Sequence, residues 1–249
     1  PCGDSVMIFF RLVNLDWLGR SSLAVAFGVV AFGQAVEAAA KRPNILFIFL
    51  DDFGWRDTGY MGSDFYETPN IDRLAKGGMV FTDAYSCSAN CAPARACLLS
   101  GQYTPRHEIF NVGTKPRGLA KHRRLEHIAG TKTLRPDIVT WAESLQQAGY
   151  RTGMFGKWHL GDNYPYRPQD RGFEETLWFP SSHIGSVPDN WGNNYFDDTY
   201  RWNGKHKKFI GYCTDIFFDH AIDWIKRCAD AEEPFFAYLP TNTPHGPFY

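Results

Sequence analysis

Apolar residues in this chain come as short dense runs, each ending in a polar or glycine-rich break. Asn44-Ile45-Leu46-Phe47-Ile48-Phe49-Leu50 follows Pro43 without a polar interruption, which predicts a strand buried on both faces of a parallel sheet. Met79-Val80-Phe81, Tyr150 to Gly156 and Pro234 to Leu239 are the other strand candidates. Helical signals fall between them. Thr68-Pro69 opens one helix and Gly77-Gly78 stops it. Pro93 suits a first helical position and predicts a short helix through Leu99, stopped by Gly101. From Asp137, the residues Ile138, Trp141, Leu145 and Ala148 share one face, and Gly149 is the stop. Thr214 caps a helix through about Cys228, with Ile216, Phe217, Ala221, Trp224 and Ile225 apolar. Residues 102–136 show no period and are expected as a long surface excursion. Residues 162–212, dense in Tyr, Trp, Asn, Asp and Pro, are expected as an irregular lid or rim. No internal repeat is visible. Strands alternating with helices predict an α/β fold, a largely parallel central sheet flanked by helices.

Composition narrows the picture only a little. The 249 residues carry 26 basic and 27 acidic side chains, so the net charge of -1 offers nothing to nucleic acid or an acidic membrane surface. A hydrophobic content of 44% excludes a disordered chain. The N-terminal region is more informative. From Met7 the chain has Arg11 and Arg20, an apolar run from Leu23 to Phe32, then Ala38-Ala39-Ala40. This predicts a secretory signal peptide, with residues 1–6 upstream of it and a mature chain from near Lys41. The apolar run is shorter than the roughly 20 residues a membrane span needs, although an uncleaved anchor is the alternative. Residues 1–40 are thus separated from 41–249, and a periplasmic or secreted location is expected. Export permits disulfides among Cys2, Cys87, Cys91, Cys97, Cys213 and Cys228, but their spacings set no connectivity. No Cys-x-x-Cys pair is present, which argues against zinc.

The chemistry gathers where predicted strands end. Ligands of open α/β sheets bind outside the carboxyl ends of the strands. Asp51 and Asp52 follow the first run directly. Burying two unpaired carboxylates costs several kcal/mol, a penalty that a divalent cation removes, and oxygen ligation suits Ca²⁺ or Mg²⁺. The alternative is a pair that caps backbone N–H groups. Lys157 and His159 end another run; if the strand persists they share a side, with Trp158 turned into the packing. Such a pair can hold a tetrahedral anion and move a proton. Taken alone it also fits an ordinary surface pair, as His245 alone fits an exposed turn. Cys91 lies just ahead of the predicted Pro93 helix, facing its free N–H groups and positive dipole end, with Arg95 one turn in. That favours a reactive thiol over a merely buried one.

Cys91-Ala92-Pro93-Ala94-Arg95, closed by Leu98-Leu99-Ser100-Gly101, resembles the Cys-x-Pro-x-Arg signature of the sulfatase family, with alanine where serine is usual at 94. Gly149-Tyr150-Arg151-Thr152-Gly153-Met154-Phe155-Gly156-Lys157-Trp158-His159 is similar to the family's second signature, and Thr243-Pro244-His245-Gly246-Pro247 to its sulfate-contacting histidine. The resemblance covers residues 42–249 and implies an alkaline phosphatase-like fold. It implies that a formylglycine-generating or sulfatase-maturating enzyme oxidises Cys91 to formylglycine, whose hydrate attacks the sulfur of a sulfate ester, aryl or carbohydrate. It further implies a Ca²⁺ site, with Mg²⁺ as the alternative, on Asp51, Asp52 and modified Cys91. Lys157 and His245 would contact sulfate, His159 would bond the hydrate, and Arg95 would offset charge. Ser182-His183 falls where some members place another hydroxyl. The family's further Asp/Asn pair and second lysine have no counterpart before Tyr249, so 41–249 is expected to be an incomplete catalytic domain, truncated at the C-terminus and inactive by itself. A phosphomonoesterase or phosphodiesterase of the same superfamily, or an inactive carbohydrate-binding scaffold, is the alternative.

Overall fold

The computed structural model describes residues 42–113, 118–126, 128, 130–184 and 194–246. The expected leader, Cys2, Lys41 and Pro247 lie outside them. Six strands form one sheet: β1 (Ile45–Asp51), β2 (Arg151–Lys157), β3 (Glu175–Phe179), β4 (Thr199–Trp202), β5 (Lys205–Lys208) and β6 (Phe235–Pro244), in spatial order β1-β6-β2-β3-β4-β5. The first four in that order run parallel, and the β4–β5 hairpin closes one edge antiparallel. The α/β class holds, in a sheet that is mixed.

Alternation along the strands sorts the core into two layers. Phe47, Phe49, Met154, Trp178, Phe236 and Tyr238 face one way, packing with residues of α2 (Cys91–Ser100) and α4 (Trp141–Gln147). Phe155, Leu177, Phe179, Phe235, Ala237 and Leu239 face the other, against Ile216, Phe217, Ala221 and Trp224 of α5 (Cys213–Asp230). Two further helices, α1 (Pro69–Gly77) and α3 (Thr104–His107), lie between β1 and α4 in the chain. No helix among the described residues is long and apolar enough to cross a membrane. The five described cysteines are free thiols.

Several boundaries depart from the sequence pattern, each for a local reason. Met79-Val80-Phe81 is exposed and in no strand. Apolar character makes a strand only where a neighbour pairs with it, and among the described residues none does. Helix α2 starts at Cys91, not Pro93, because the Asn90 carbonyl already accepts the Ala94 N–H at 2.9 Å. Helix α4 starts at Trp141, not Asp137. Thr140 and Glu143 form a reciprocal cap there, at 2.7 and 3.1 Å, which fixes the entry point. In α5 the cap position is Tyr212, not Thr214. The 102–136 excursion is anchored, since His107, Ile109 and Leu134 are fully buried. The expected lid at 162–212 supplies β3, β4 and β5, half of the sheet.

Candidate active site

The four predicted polar clusters meet at one edge of the sheet. Asp51 is the last residue of β1 and Lys157 the last of β2, while His245 follows the end of β6. Cys91 occupies the first turn of α2. Ligand atoms of Asp51, Cys91 and His245 all lie within 4.8 Å of one another. Lys157 Nζ donates to Asp51 Oδ2, and both residues are buried. Gly156, at φ +133°, permits this convergence: a Cβ there would stand 2.1 Å from the Pro240 carbonyl oxygen. The end of β2 can therefore press onto β6 only with glycine at this position.

Arg95 is wholly buried and works inward. Its guanidinium donates to the Lys157 carbonyl at 3.0 Å and the Thr241 carbonyl at 3.4 Å, lies 3.7 Å from Asp51 Oδ2, and covers the Phe49 ring at 5.1 Å. It ties the ends of β2 and β6 to α2 while leaving its charge beside the Asp51 carboxylate. Burial pushes the Asp51 carboxyl up, but the charges of Arg95 and Lys157, the Lys157 hydrogen bond and His245 outweigh it and hold the group below its ordinary value. A hydrogen bond with Cys91 raises His245 to about 9, so its ring is protonated near neutrality. Asp52 turns outward at φ +58° and is half-exposed, with Oδ2 3.5 Å from His245 Nε2. Lys157, Arg95 and His245 thus outnumber Asp51 and Asp52 in charge, and the pocket favours an anion.

His159 reaches the site by a different route from the one its spacing suggests. The strand stops at Lys157, and His159 has a left-handed backbone at φ +60°, so the pleat does not place it. Trp158 does turn into the core, its Nε1 donating to the Tyr166 carbonyl at 2.7 Å. Burial first, then the charges of Lys157 and Arg95, push His159 down to about 3. Its ring is neutral at physiological pH, and its buried Nδ1 has no partner among the described residues. A neutral ring with an unmet nitrogen suits a hydrogen bond to a bound group better than a charge contact does.

Sequence reasoning noticed Ser182-His183 for its hydroxyl, whereas the geometry singles out the imidazole. His183 stacks on His245 with ring centroids 5.0 Å apart, and the Ser182 hydroxyl lies 3.0 Å from His183 Nδ1. Asp162 was missed altogether. Both its carboxylate oxygens accept the Ser181 N–H at 3.1 Å, its carbonyl accepts from Arg201 at 2.6 Å, and burial pushes its carboxyl up. It shapes the loop that carries His183. No local pattern marks it, because its partners lie 19 and 39 residues away.

The donor set fits a hard divalent cation in part. The described ligand cluster joins Asp51 with Cys91 and His245, while Asp52 turns outward and borders only His245, so Asp51 is the one predicted carboxylate ligand that the cluster contains. Two carboxylates and the Cys91 side chain fall short of the roughly six to eight ligands calcium takes.

Comparison with known proteins accords with this geometry. The family profile described as Sulfatase matches residues 43–249. N-acetylgalactosamine-6-sulfatase of Canis lupus familiaris is 33% identical over 231 residues, covering 88% of this chain and 43% of that protein. The chain therefore spans less than half the length of this relative. A solved structure of Ps i-CgsB in complex with k-i-k-neocarrahexaose superposes with a TM-score of 0.68 at 32% identity, over 82% of this chain and 46% of the other. Another, in complex with its substrate D-glucosamine-2-N,6-O-disulfate, gives 0.62 at 30% identity, over 82% and 35%.

Proposed function

Because the chain belongs to the sulfatase family, we propose that its site hydrolyses sulfate monoesters, those of sulfated carbohydrates above all. The observation that carries this reading is the 4.8 Å cluster of Asp51, Cys91 and His245, backed by two buried cations on Asp51. Oxidation of Cys91 to formylglycine by a maturating enzyme would supply an aldehyde hydrate as nucleophile. A Ca²⁺ ion held by Asp51 and Asp52 would act as a Lewis acid toward that hydrate and the ester oxygens.

The remaining roles belong to the chain's own side chains. His245 and Lys157 grip the non-bridging oxygens of the sulfate and oppose the charge that builds on them during transfer. Arg95 positions the ends of β2 and β6 and keeps Asp51 ionised. Neutral His159 accepts a hydrogen bond from the nucleophile and steadies its orientation. Cys91, in the first turn of α2, presents its side chain where helix N–H groups and the dipole favour an anion. An exported location, set by the leader expected at residues 7–40, belongs to the same proposal. The carbohydrate preference draws on the relatives, whose names and bound ligands are amino-sugar sulfates and a carrageenan oligosaccharide.

The test pairs mass with rate. Co-expressed with a formylglycine-generating enzyme, the Cys91 peptide should lose about 18 Da. Material carrying that change should hydrolyse aryl sulfate well above aryl phosphate once supplied with Ca²⁺ and the remainder of a relative-length catalytic chain. Cys91→Ala should abolish the rate. A preference for phosphate, or full activity in Cys91→Ala, overturns the proposal.

A further inference from the structure

Far from the site, β5 is a row of basic side chains, Lys205-His206-Lys207-Lys208, all exposed on the outer strand of the sheet. Among the described residues none of its three lysines has a carboxylate partner. The nearby acids are committed to backbone: Asp198 accepts the Thr199 N–H at 2.7 Å and Asp197 the Gly211 N–H at 2.8 Å. Lys207 Nζ lies 4.0 Å from the Trp202 ring centroid, so the charge sits over an aromatic plane on the neighbouring strand.

Register connects this row to the site. Lys157 pairs with Phe179, and Leu177 and Trp178 pair with Trp202 and Arg201. Carried one step further along β4, that register meets Tyr200, whose partner on β5 is Lys207. Lys207 therefore lies level with Lys157, three strands across, or roughly 14 Å away at the usual strand spacing. Arg201, one residue along β4 from Tyr200, alternates to the opposite face of the sheet, over Trp178 at 4.8 Å, with its guanidinium on the Asp162 carbonyl. A small ester that fills the site does not reach β5. An extended chain with repeated sulfates does so only around the ends of β3 and β4, since Phe179 and Tyr200, on the register between Lys157 and Lys207, are buried against Phe217 of α5.

We propose that the β4–β5 hairpin is a second binding surface, which holds a polyanionic sulfated glycan through Lys205, Lys207 and Lys208 while one of its sulfate esters occupies the site at the end of β2. The inference rests on the sulfatase reading for the role of that ester, and on charge complementarity for the surface. Exposed lysines also serve to keep edge strands from pairing with other chains, so the experiment must separate holding a glycan from guarding an edge.

Titration of the 249-residue chain with a sulfated carrageenan hexasaccharide, its desulfated counterpart and a small aryl sulfate does so. In a Lys205→Ser/Lys207→Ser/Lys208→Ser variant the hexasaccharide should bind about tenfold more weakly, with a shallower salt dependence. The desulfated sugar should bind neither protein, and aryl sulfate should bind both alike. The matching triple arginine variant should retain the hexasaccharide. Unchanged hexasaccharide affinity in the triple serine variant overturns the proposal, as does self-association of that variant with no loss of affinity, which would leave the lysines as edge guards. Failure of the sulfatase reading looks different: the hexasaccharide still binds through β5, and Cys91→Ala leaves ester hydrolysis untouched.

Discussion

One strand carries a basic residue at each end, and the two ends do opposite things. At its start, Arg151 is 43% exposed and pairs with Glu174 and Glu233 at 2.7 Å each. At its finish, Lys157 is fully buried and pairs with an Asp51 that is only 4% exposed. The first network has better contacts with water and a full complement of carboxylates. The second crowds Lys157 and Arg95 onto one carboxylate and leaves positive charge over. An exposed pair is screened and contributes little, while a buried one is costly to assemble and worse to break. The difference separates a fastening from a site: uncompensated charge at the carboxyl ends of parallel strands marks where a ligand completes the balance.

The widest gap between the two ends should appear on truncating each lysine or arginine. Lys157→Ala leaves Asp51 buried without its direct donor, with Arg95 at 3.7 Å and His245 within 4.8 Å as the remaining positive groups. It should cost about 3 kcal/mol in urea unfolding and, in the matured enzyme, about a hundredfold or more in rate. Adding Asp51→Asn to Lys157→Ala should recover a good part of the stability, because the orphaned charge is then gone. If the double variant is as unstable as the sum of the singles, the two residues are not a coupled pair and the comparison fails.

The ends should also answer differently to acid. His159 is held down at about 3 in the fold and titrates near 6.5 when unfolded. Between those values the unfolded chain binds the extra proton, so the folded state is fully favoured above pH 6.5 and loses ground as pH falls toward 3. Asp51 adds a loss of the same sign, confined to pH below its unfolded value of 3.8. Between pH 7 and 4, stability should fall on the order of 3 kcal/mol, and His159→Phe should flatten most of that slope. An unchanged slope in His159→Phe would move the acid sensitivity elsewhere, with His107, also lowered by burial, next in line.

How the sequence announced these features follows from the range of the interactions involved. Asp51, Lys157 and His245 were visible because each sits at the end of an apolar run, and a strand end is a local signal. Asn44 through Leu50 likewise declared a strand within seven residues, but not one buried on both faces: β1 is the outer strand of the described sheet, where Leu46 is 40% exposed and only Phe47 and Phe49 of the run are fully covered. His159 was found by its spacing, but for a reason the structure replaces: a left-handed turn brings it in, not strand alternation. β3 to β5 were hidden because their apolar positions are brief and interleaved with loop-forming residues. They become strands by pairing outward, β3 on β2, β4 on β3 and β5 on β4, and the first two of these pairings span 20 or more residues and leave no periodic trace. The stacking of His183 on His245 crosses 62 positions and was equally silent. Met79 to Phe81 shows the converse, a strand-like run left exposed where no described neighbour pairs with it.

The smallest effect belongs to Arg151, and it is the sharpest control on the comparison. Its two carboxylates hold the guanidinium firmly protonated, their hydrogen bonds outweighing a modest burial penalty. All three side chains keep a third or more of their surface in water, so removing the charge leaves Glu174 and Glu233 hydrated, not stranded. Arg151→Met should therefore cost no more than about 1 kcal/mol. What it does cost should shrink as salt is raised toward 1 M, where the screening length is about 3 Å. Glu174 also accepts from the Thr152 N–H at 3.4 Å, which gives the carboxylate a second anchor when the arginine is gone. Binding of aryl sulfate should not change, since Arg151 stands six residues, or roughly 20 Å, back along the strand from Lys157. A loss that matches Lys157→Ala, or one indifferent to salt, would mean that exposure does not distinguish the two ends of β2 and that the buried charge is ordinary scaffolding.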